Sequence, residues 1–251
     1  MTPLLSRRAW LGALAGGAAL GCSPRIGDAL QGDGAARLTA RPGSPSSPVT
    51  PGQHPLHIAA GRDGFLRIPL SYDPGTPAPL VVMLHGAGGS AAGVSVLPAT
   101  TDAHGILLLV PESRGPTWDA IRGGYGPDIT FLDRALQQTF ARCNVRADRI
   151  GIWGFSDGAT YALSVGLANG DLFSHIAAFS PGFVVEAKRV GRPRIFISHG
   201  RSDRILPIAR TSRLIVPALE RAGYDVEYLE FDGGHAVTDP ARAAAVQTLL
   251  G

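Results

Sequence analysis

From about residue 56 onward, the chain alternates short apolar runs with longer stretches in which apolar and polar residues are mixed. The runs are nearly continuous, which is typical of strands that helices bury on both faces. They cover residues 79–84, 105–110, 149–153, 175–180 and 194–198. Ahead of them, "LHIAAGRDGFLRIPL" predicts two short strands around a hairpin-like turn at residues 61–64.

The stretches between these runs predict helices over residues 128–141, 157–168, 208–222 and 240–250. In the first of them, Ile129, Leu132, Leu136 and Phe140 recur at helical spacing, and Asp128 is suited to the N-cap. Gly223 predicts the end of the third helix. The alternation of strands and helices favours a single α/β domain over residues 55–251, with a mostly parallel, doubly wound sheet.

The segment before this domain has a different composition. Residues 23–52 are rich in Pro, Ser, Gly, Asp and Arg, as in "ARPGSPSSPVTPGQHP". Such a stretch buries too little apolar surface to fold alone. We therefore expect a flexible linker over residues 22–54.

Residues 1–21 have the layout of a secretory signal, with a basic start, an apolar run over 10–20 and small residues after it. The run is too short to span a bilayer as a helix, which needs about 20 apolar residues. "SRRAWL" at residues 6–11 resembles a twin-arginine export signal. "ALGC" at residues 19–22 resembles a lipobox, which predicts a lipid on Cys22 and a membrane tether. The alternative is an ordinary cleaved signal in which Cys22 plays no part. Either way, we expect an exported protein, in the cell envelope or secreted.

Composition and charge narrow the class further. Hydrophobic residues make up 45% of the 251 residues and charged ones 17%, so a large core is expected. Loss of residues 1–21, which carry Arg7, Arg8 and no acid, lowers the net charge from +3 to +1. That balance gives no reason to expect a nucleic-acid partner. No Cys/His spacing indicates a zinc site, and Cys143 is expected to be a small buried hydrophobe.

The strongest chemical signal is the motif G-x-S-x-G at residues 154–158, with Ser156 at its centre. It follows a predicted strand and opens a predicted helix, the context of a nucleophile elbow. Glycine at positions 154 and 158 avoids side chains that would crowd the turn. Ser156 is therefore the candidate nucleophile, and it needs a general base.

Two loops later in the chain supply the partners that a serine nucleophile needs. Asp203 follows the predicted strand at 194–198, and His235 follows the next strand after two glycines. In this architecture the acid and the histidine come after the serine in chain order. We expect His235 to be the general base and Asp203 its orienting acid. Asp232 and Asp239 compete for the acid role, although Asp232 lies only three residues before His235.

The loop His85-Gly86-Ala87-Gly88-Gly89 follows the strand at 79–84 and predicts an oxyanion hole. Its donors would be the backbone N–H groups of Ala87 and Asp157. His85 and His199 each either border the site or structure a loop, and loop-structuring roles are favoured. Trp118 and Tyr125 either line the substrate pocket or pack their loop against the domain.

Taken together, "PLVVMLHGAGGS", "RIGIWGFSDGA" and "ISHGRSDRILP…FDGGH" resemble the α/β-hydrolase superfamily. They are most similar to the polyhydroxybutyrate-depolymerase and feruloyl-esterase-like group, next to the phospholipase/carboxylesterase group. Ala159 stands where another glycine is frequent. The resemblance implies an ester hydrolase for small-molecule or polymeric esters, with no metal and no organic cofactor. A serine peptidase or amidase, and a catalytically silent binding lipoprotein on the same scaffold, are the alternatives.

Overall fold

The computed structural model describes residues 35–94 and 97–251, and within them eight strands form one sheet. The strands are β1 (Gly52–Pro55), β2 (Gly64–Ile68), β3 (Ala78–Leu84), β4 (Leu107–Pro111), β5 (Val145–Phe155), β6 (His175–Phe179), β7 (Arg194–Gly200) and β8 (Val226–Phe231). Their order across the sheet is β1-β2-β4-β3-β5-β6-β7-β8. β1 and β2 pair antiparallel, β2 joins β4 antiparallel, and every pair from β4 to β8 is parallel. The α/β class and the mostly parallel sheet are confirmed.

The helices of the described residues are α1 (Leu97–Ala103), α2 (Asp119–Arg122), α3 (Pro127–Arg142), α4 (Asp157–Ala168), α5 (Ser212–Arg221) and α6 (Asp239–Leu250). α4 has the predicted bounds. The helix predicted over 208–222 begins instead with a 3₁₀ turn (Ile208–Arg210), and α5 follows it. α5 ends before Gly223, whose φ of +83° suits the predicted stop. The short helices α1 and α2 were not predicted.

Two apolar layers hold the sheet between these helices. In β3, Leu80, Val82 and Leu84 belong to a core cluster shared with α3, α4 and α5. Val81 and Met83 belong to a second cluster shared with α1 and α6. Successive residues of one strand are therefore buried on opposite faces, as the continuous apolar runs predicted.

The start of α3 differs from the prediction. Gly126 is the N-cap and Pro127 the first helical residue, which suits a ring with φ preset for a helix. The buried carboxylate of Asp128 accepts the N–H of Arg114 (2.5 Å) and of Asp119 (2.7 Å). Asp128 therefore does not cap the helix and instead ties the preceding loop to it.

Residues 35–54 differ from the flexible linker that their composition predicted. Ala36, Leu38 and Ala40 are buried in the first core cluster. The N–H of Leu38 donates to Asn169 Oδ1 at 2.8 Å, and that of Ala40 donates to Asp133 Oδ1 at 2.8 Å. Polar partners on the domain thus supply contacts that a Pro- and Ser-rich segment cannot supply for itself.

β1 (Gly52–Pro55) begins inside the predicted linker and ends before residue 56, where the first strand was expected. Its partner β2 follows the predicted turn, so the hairpin exists with an earlier first strand. The predicted signal at residues 1–21, the lipobox and Cys22 lie outside the described residues. Among residues 35–94 and 97–251, no helix combines the length and hydropathy that crossing a bilayer requires.

Candidate active site

The parallel strands bring the loops that follow them to one edge of the sheet. The register pairs Leu84 of β3 with Gly154 of β5, and Gly154 with Ala178 of β6. β7 and β8 extend the same sheet and run parallel to β6. The segments after β3, β5, β6, β7 and β8 therefore meet at the carboxyl edge, where open α/β sheets bind ligands.

Ser156 occupies the sharp turn between β5 and α4. Its φ of +57° is left-handed, a conformation that is uncommon for a residue with a side chain. A Cβ added at Gly154 would lie 2.1 Å from the carbonyl oxygen of Gly158. A Cβ at Gly158 would lie 2.2 Å from the carbonyl oxygen of Leu84. Both glycines are thus required by close backbone approach, and the turn holds the serine hydroxyl at the sheet edge.

The structure brings the three residues singled out by the sequence into one hydrogen-bonded chain. Ser156 Oγ lies 2.8 Å from His235 Nε2. His235 Nδ1 lies 2.6 Å from Asp203 Oδ2. With a proton on Nδ1, the imidazole donates to the carboxylate and its Nε2 accepts from the serine hydroxyl, as in a Ser-His-Asp arrangement.

Asp203 is fully buried and held on its other oxygen by backbone. Oδ1 accepts the N–H of Ile205 at 2.8 Å and of Leu206 at 2.9 Å. Burial alone raises the pKa of Asp203, but the hydrogen bonds from His235 and the two amides outweigh it and lower that pKa. The carboxyl group is therefore held in its charged form.

The competing carboxylates lie elsewhere. The Asp232 side chain is 90% exposed and pairs with Arg201 at 2.7 Å. Asp239 is also exposed and pairs with Arg242 one turn further along α6. Of these three candidates, Asp203 is the one whose carboxylate is hydrogen-bonded to His235.

Backbone contacts hold the His235 loop against the end of β7. The N–H of Arg201 donates to the Phe231 carbonyl, and that of Ser202 donates to the Gly233 carbonyl, each at 2.9 Å. The ring of Phe155 packs against the imidazole with a centroid distance of 4.7 Å. These contacts fix the histidine between the serine and the carboxylate.

The loop predicted as an oxyanion hole lies directly beside the serine. A Cβ added at Gly86 would lie 3.3 Å from Ser156 Cβ. The N–H of Gly88 donates to the Pro116 carbonyl at 2.6 Å, which fixes the loop next to Ala87. Asp157 is the first residue of α4, and its carboxylate accepts the Thr117 hydroxyl at 2.5 Å. The Asp157 amide therefore sits at the positive end of a helix.

His85 is buried beneath this loop. Its Nδ1 lies 2.8 Å from the Gly86 carbonyl, so that nitrogen carries the proton, and Nε2 accepts the N–H of Ser113 at 3.1 Å. Burial and the nearby Arg62 charge lower the pKa of His85, so the ring is neutral. His85 thus braces the loop, and it also borders the cavity described below.

Arg62 is a site residue that the sequence did not reveal. Its guanidinium donates to the carbonyls of Gly89 (2.7 Å) and Ser113 (2.6 Å) and approaches His85 Nε2 at 3.2 Å. The sequence around Arg62 predicts only the hairpin-like turn at residues 61–64. The turn places this cation behind the loop at residues 85–89, which we call the oxyanion loop after its predicted role.

Trp118 and Tyr125 pack their loop against the domain. Trp118 is 1% exposed, donates its indole N–H to the His85 carbonyl and stacks on Tyr161. Tyr125 is buried and packs against the same Tyr161 ring. Neither lines the apolar cavity described below, so of the two roles that the sequence left open, the structure shows core packing. Sequence reasoning could not tell which way the rings turn.

A mostly apolar cavity of about 310 Å³ opens beside the oxyanion loop. Its lining includes Gly86, Ala87 and the Phe155 ring that contacts His235. The apolar side chains around it are Met83, Val94, Leu97, Phe155, Phe179 and Val237. A larger cavity of about 820 Å³, bordered by Arg189, Arg192 and Arg221, involves none of the three central residues.

Comparison with curated proteins finds relatives with esterase names. NocK of Nocardia uniformis subsp. tsuyamanensis, named as an esterase, is 29% identical over 167 residues, which cover 60% of this chain and 48% of NocK. Feruloyl esterase C of Emericella nidulans is 28% identical over 158 residues, covering 59% of this chain and 57% of that protein. The chain thus spans roughly half the length of these relatives. No protein-family model matches the sequence.

Solved structures show the same fold. Esterase PE8 superimposes with a TM-score of 0.62 at 22% identity, over 76% of this chain and all of PE8. A CE1 ferulic acid esterase from Anaeromyces mucronatus gives a TM-score of 0.60 at 15% identity, over 85% of this chain and 96% of that one. A phospholipase/carboxylesterase from Dyadobacter fermentans gives 0.57 at 22% identity, over 78% of this chain and all of that one.

The strand order, the turn at Ser156 and these likenesses define the chain as an α/β-hydrolase fold. The proteins to which it is similar, in sequence and in structure, carry esterase and feruloyl esterase names. The predicted resemblance to feruloyl esterases and to phospholipase/carboxylesterases is thereby confirmed.

Proposed function

We propose that this protein is a serine hydrolase that cleaves carboxylic ester bonds through a covalent acyl-enzyme. The observation that carries the proposal is the hydrogen-bonded chain from Ser156 Oγ through His235 to Asp203, with distances of 2.8 and 2.6 Å. The esterase names of the relatives and of the structural neighbours support the same reaction class.

In the first half-reaction, His235 Nε2 takes the hydroxyl proton as Ser156 Oγ attacks the ester carbonyl carbon. The buried charge of Asp203 stabilises the imidazolium that forms. When the tetrahedral intermediate collapses, His235 returns the proton to the departing alkoxide. An alcohol leaves, and the acyl group stays on Ser156.

The N–H groups of Ala87 and Asp157 are our proposed donors to the oxyanion of that intermediate. The adjacent Gly86 backbone and the start of α4 support this role, because both approach Ser156 closely. One such donor is worth roughly 3–4 kcal/mol in the transition state. In the second half-reaction, His235 takes a proton from a water that attacks the acyl carbonyl. The bond between the acyl carbon and Ser156 Oγ then breaks, His235 returns the proton to Oγ, and the carboxylic acid is released.

We further propose that the apolar cavity beside the oxyanion loop receives an apolar part of the ester. Its volume of about 310 Å³ lies near the lower end of small-ligand pockets. Feruloyl esters join the candidates because several relatives are named for them.

The test compares hydrolysis of p-nitrophenyl esters from acetyl to dodecanoyl, and of methyl ferulate, with that of p-nitroanilides. We expect ester turnover that Ser156→Ala removes and little anilide turnover. Anilide turnover above ester turnover would indicate an amidase. No turnover of any substrate by folded wild-type protein would contradict the proposal and favour a binding protein.

Export remains a separate proposal that rests on residues 1–22 alone. Fractionation of cells producing the full chain, with Cys22→Ser as comparison, tests it. We expect the wild-type protein in the membrane fraction and the variant released from it. Unprocessed protein in the cytosol would contradict the proposal.

A further inference from the structure

His199, at the end of β7, is a fully buried imidazole that the proposed reaction does not use. Its Nε2 lies 2.8 Å from the Leu206 carbonyl and 3.1 Å from Asp203 Oδ2. Its Nδ1 lies 2.6 Å from the Ser212 hydroxyl at the start of α5. The ring therefore connects the Asp203 loop to a helix on one face of the sheet.

The partners fix the tautomer of this ring. A backbone carbonyl can only accept, so Nε2 carries the proton and Nδ1 accepts from the Ser212 hydroxyl. Burial lowers the pKa of His199 and outweighs the opposing Leu206 carbonyl and Asp203 charge, so the ring stays neutral. His235, from the β8–α6 loop, is the other titratable group nearby, and its positive form disfavours a charge on His199.

Three hydrogen bonds and the His199 ring surround the Asp203 carboxylate. Oδ1 takes the N–H groups of Ile205 and Leu206, and Oδ2 takes the His235 N–H. His199 Nε2 lies 3.1 Å from Oδ2, while its N–H donates to the Leu206 carbonyl, so the imidazole packs directly beside the carboxylate. By holding the Leu206 carbonyl, His199 also fixes the amide that Leu206 presents to Oδ1.

We infer that His199 is a positioning residue that holds Asp203 in the orientation and charge state in which it supports His235. The role is indirect, since His199 contacts neither Ser156 nor the cavity, and the inference rests on the proposed function. Loss of the N–H frees the Leu206 carbonyl, so the 203–206 loop and the two amides that it donates to Asp203 can shift.

The experiment measures kcat, KM and the pH profile with p-nitrophenyl acetate for wild-type, His199→Leu and His199→Gln. Leucine removes the donor, whereas glutamine offers an N–H near the former Nε2. We expect His199→Leu to lower kcat about 10- to 100-fold with KM within about two-fold. The acid limb of its pH–rate profile should move to lower pH by about half a unit, because a displaced Asp203 stabilises the His235 imidazolium less, and His199→Gln should recover most of the loss.

His175→Gln is the matched control, because this buried histidine on the neighbouring strand β6 does not contact Asp203. It should leave kcat and the acid limb at wild-type values. Ser212→Ala serves if His199→Leu does not fold, and a few-fold lower kcat with the same shift of the acid limb is expected. Folded His199→Leu, or failing that Ser212→Ala, with a wild-type kcat and pH profile would overturn the inference. Inactive wild-type protein would instead overturn the proposed function, and this inference with it.

Discussion

The guanidinium of Arg62 donates to the carbonyl oxygen of Gly89 at 2.7 Å, and so ties the β1–β2 hairpin to the loop beside Ser156. The same guanidinium donates to the carbonyl oxygen of Ser113, and the N–H of Ser113 donates to His85 Nε2. One cation thus joins three segments that meet behind the proposed oxyanion hole.

This relationship predicts that Arg62→Ala lowers kcat for ester hydrolysis by about 10- to 100-fold, because small displacements of a donor loop are costly. Steady-state kinetics with p-nitrophenyl acetate measure the effect. Arg67→Ala is the matched control, since Arg67 lies in the same hairpin but pairs with Asp102 on the surface. Equal, wild-type kcat values for both variants would show that Arg62 does not support the loop.

In the turn around Ser156, replacing glycine with alanine should change the stability in the direction opposite to the usual one. In an unconstrained helix interior, Gly→Ala stabilises by about 1 kcal/mol. At Gly158 the added methyl would lie 2.2 Å from the Leu84 carbonyl oxygen, so Gly158→Ala should destabilise by about 3 kcal/mol. Denaturant unfolding measures the change. Gly123→Ala meets nothing within 4 Å and should stay within about 0.5 kcal/mol of wild-type. A stabilised Gly158→Ala variant would refute the close approach.

Burial, with the charges of Arg149 and Arg194, lowers the pKa of His175 from 6.5 to about 4. Between these values the unfolded chain binds a proton that the native state does not, so stability falls as the pH drops through this window. Wild-type protein should lose about 2 kcal/mol more between pH 6.5 and pH 4 than His175→Asn does. Urea unfolding at both pH values measures the difference, and parallel losses would contradict it.

The sequence was most informative where a function depends on a local pattern. Ser156, Asp203 and His235 each follow a strand within a short motif, and the parallel topology brings their loops together. The continuous apolar runs likewise predicted the buried strands, because a strand that is buried on both faces is apolar along its own length.

The sequence was least informative where a role depends on distant partners. Leu38 reaches Asn169 across 131 positions, and Arg62 reaches Gly89 across 27. The composition of residues 35–54 predicted a linker, because composition carries no information about hydrogen bonds with other parts of the fold. The orientation of Trp118 was open for a similar reason, since contacts with the distant residues His85 and Tyr161 decide it.

The most direct measurement of the central proposal is mass spectrometry of the folded protein after reaction with a fluorophosphonate. Such a reagent phosphonylates a serine, with loss of fluoride, where a base activates the hydroxyl. We predict one adduct per chain, mapped to the peptide that contains Ser156, and none in Ser156→Ala. An unmodified wild-type protein, or an adduct on another residue that persists in Ser156→Ala, would contradict the account.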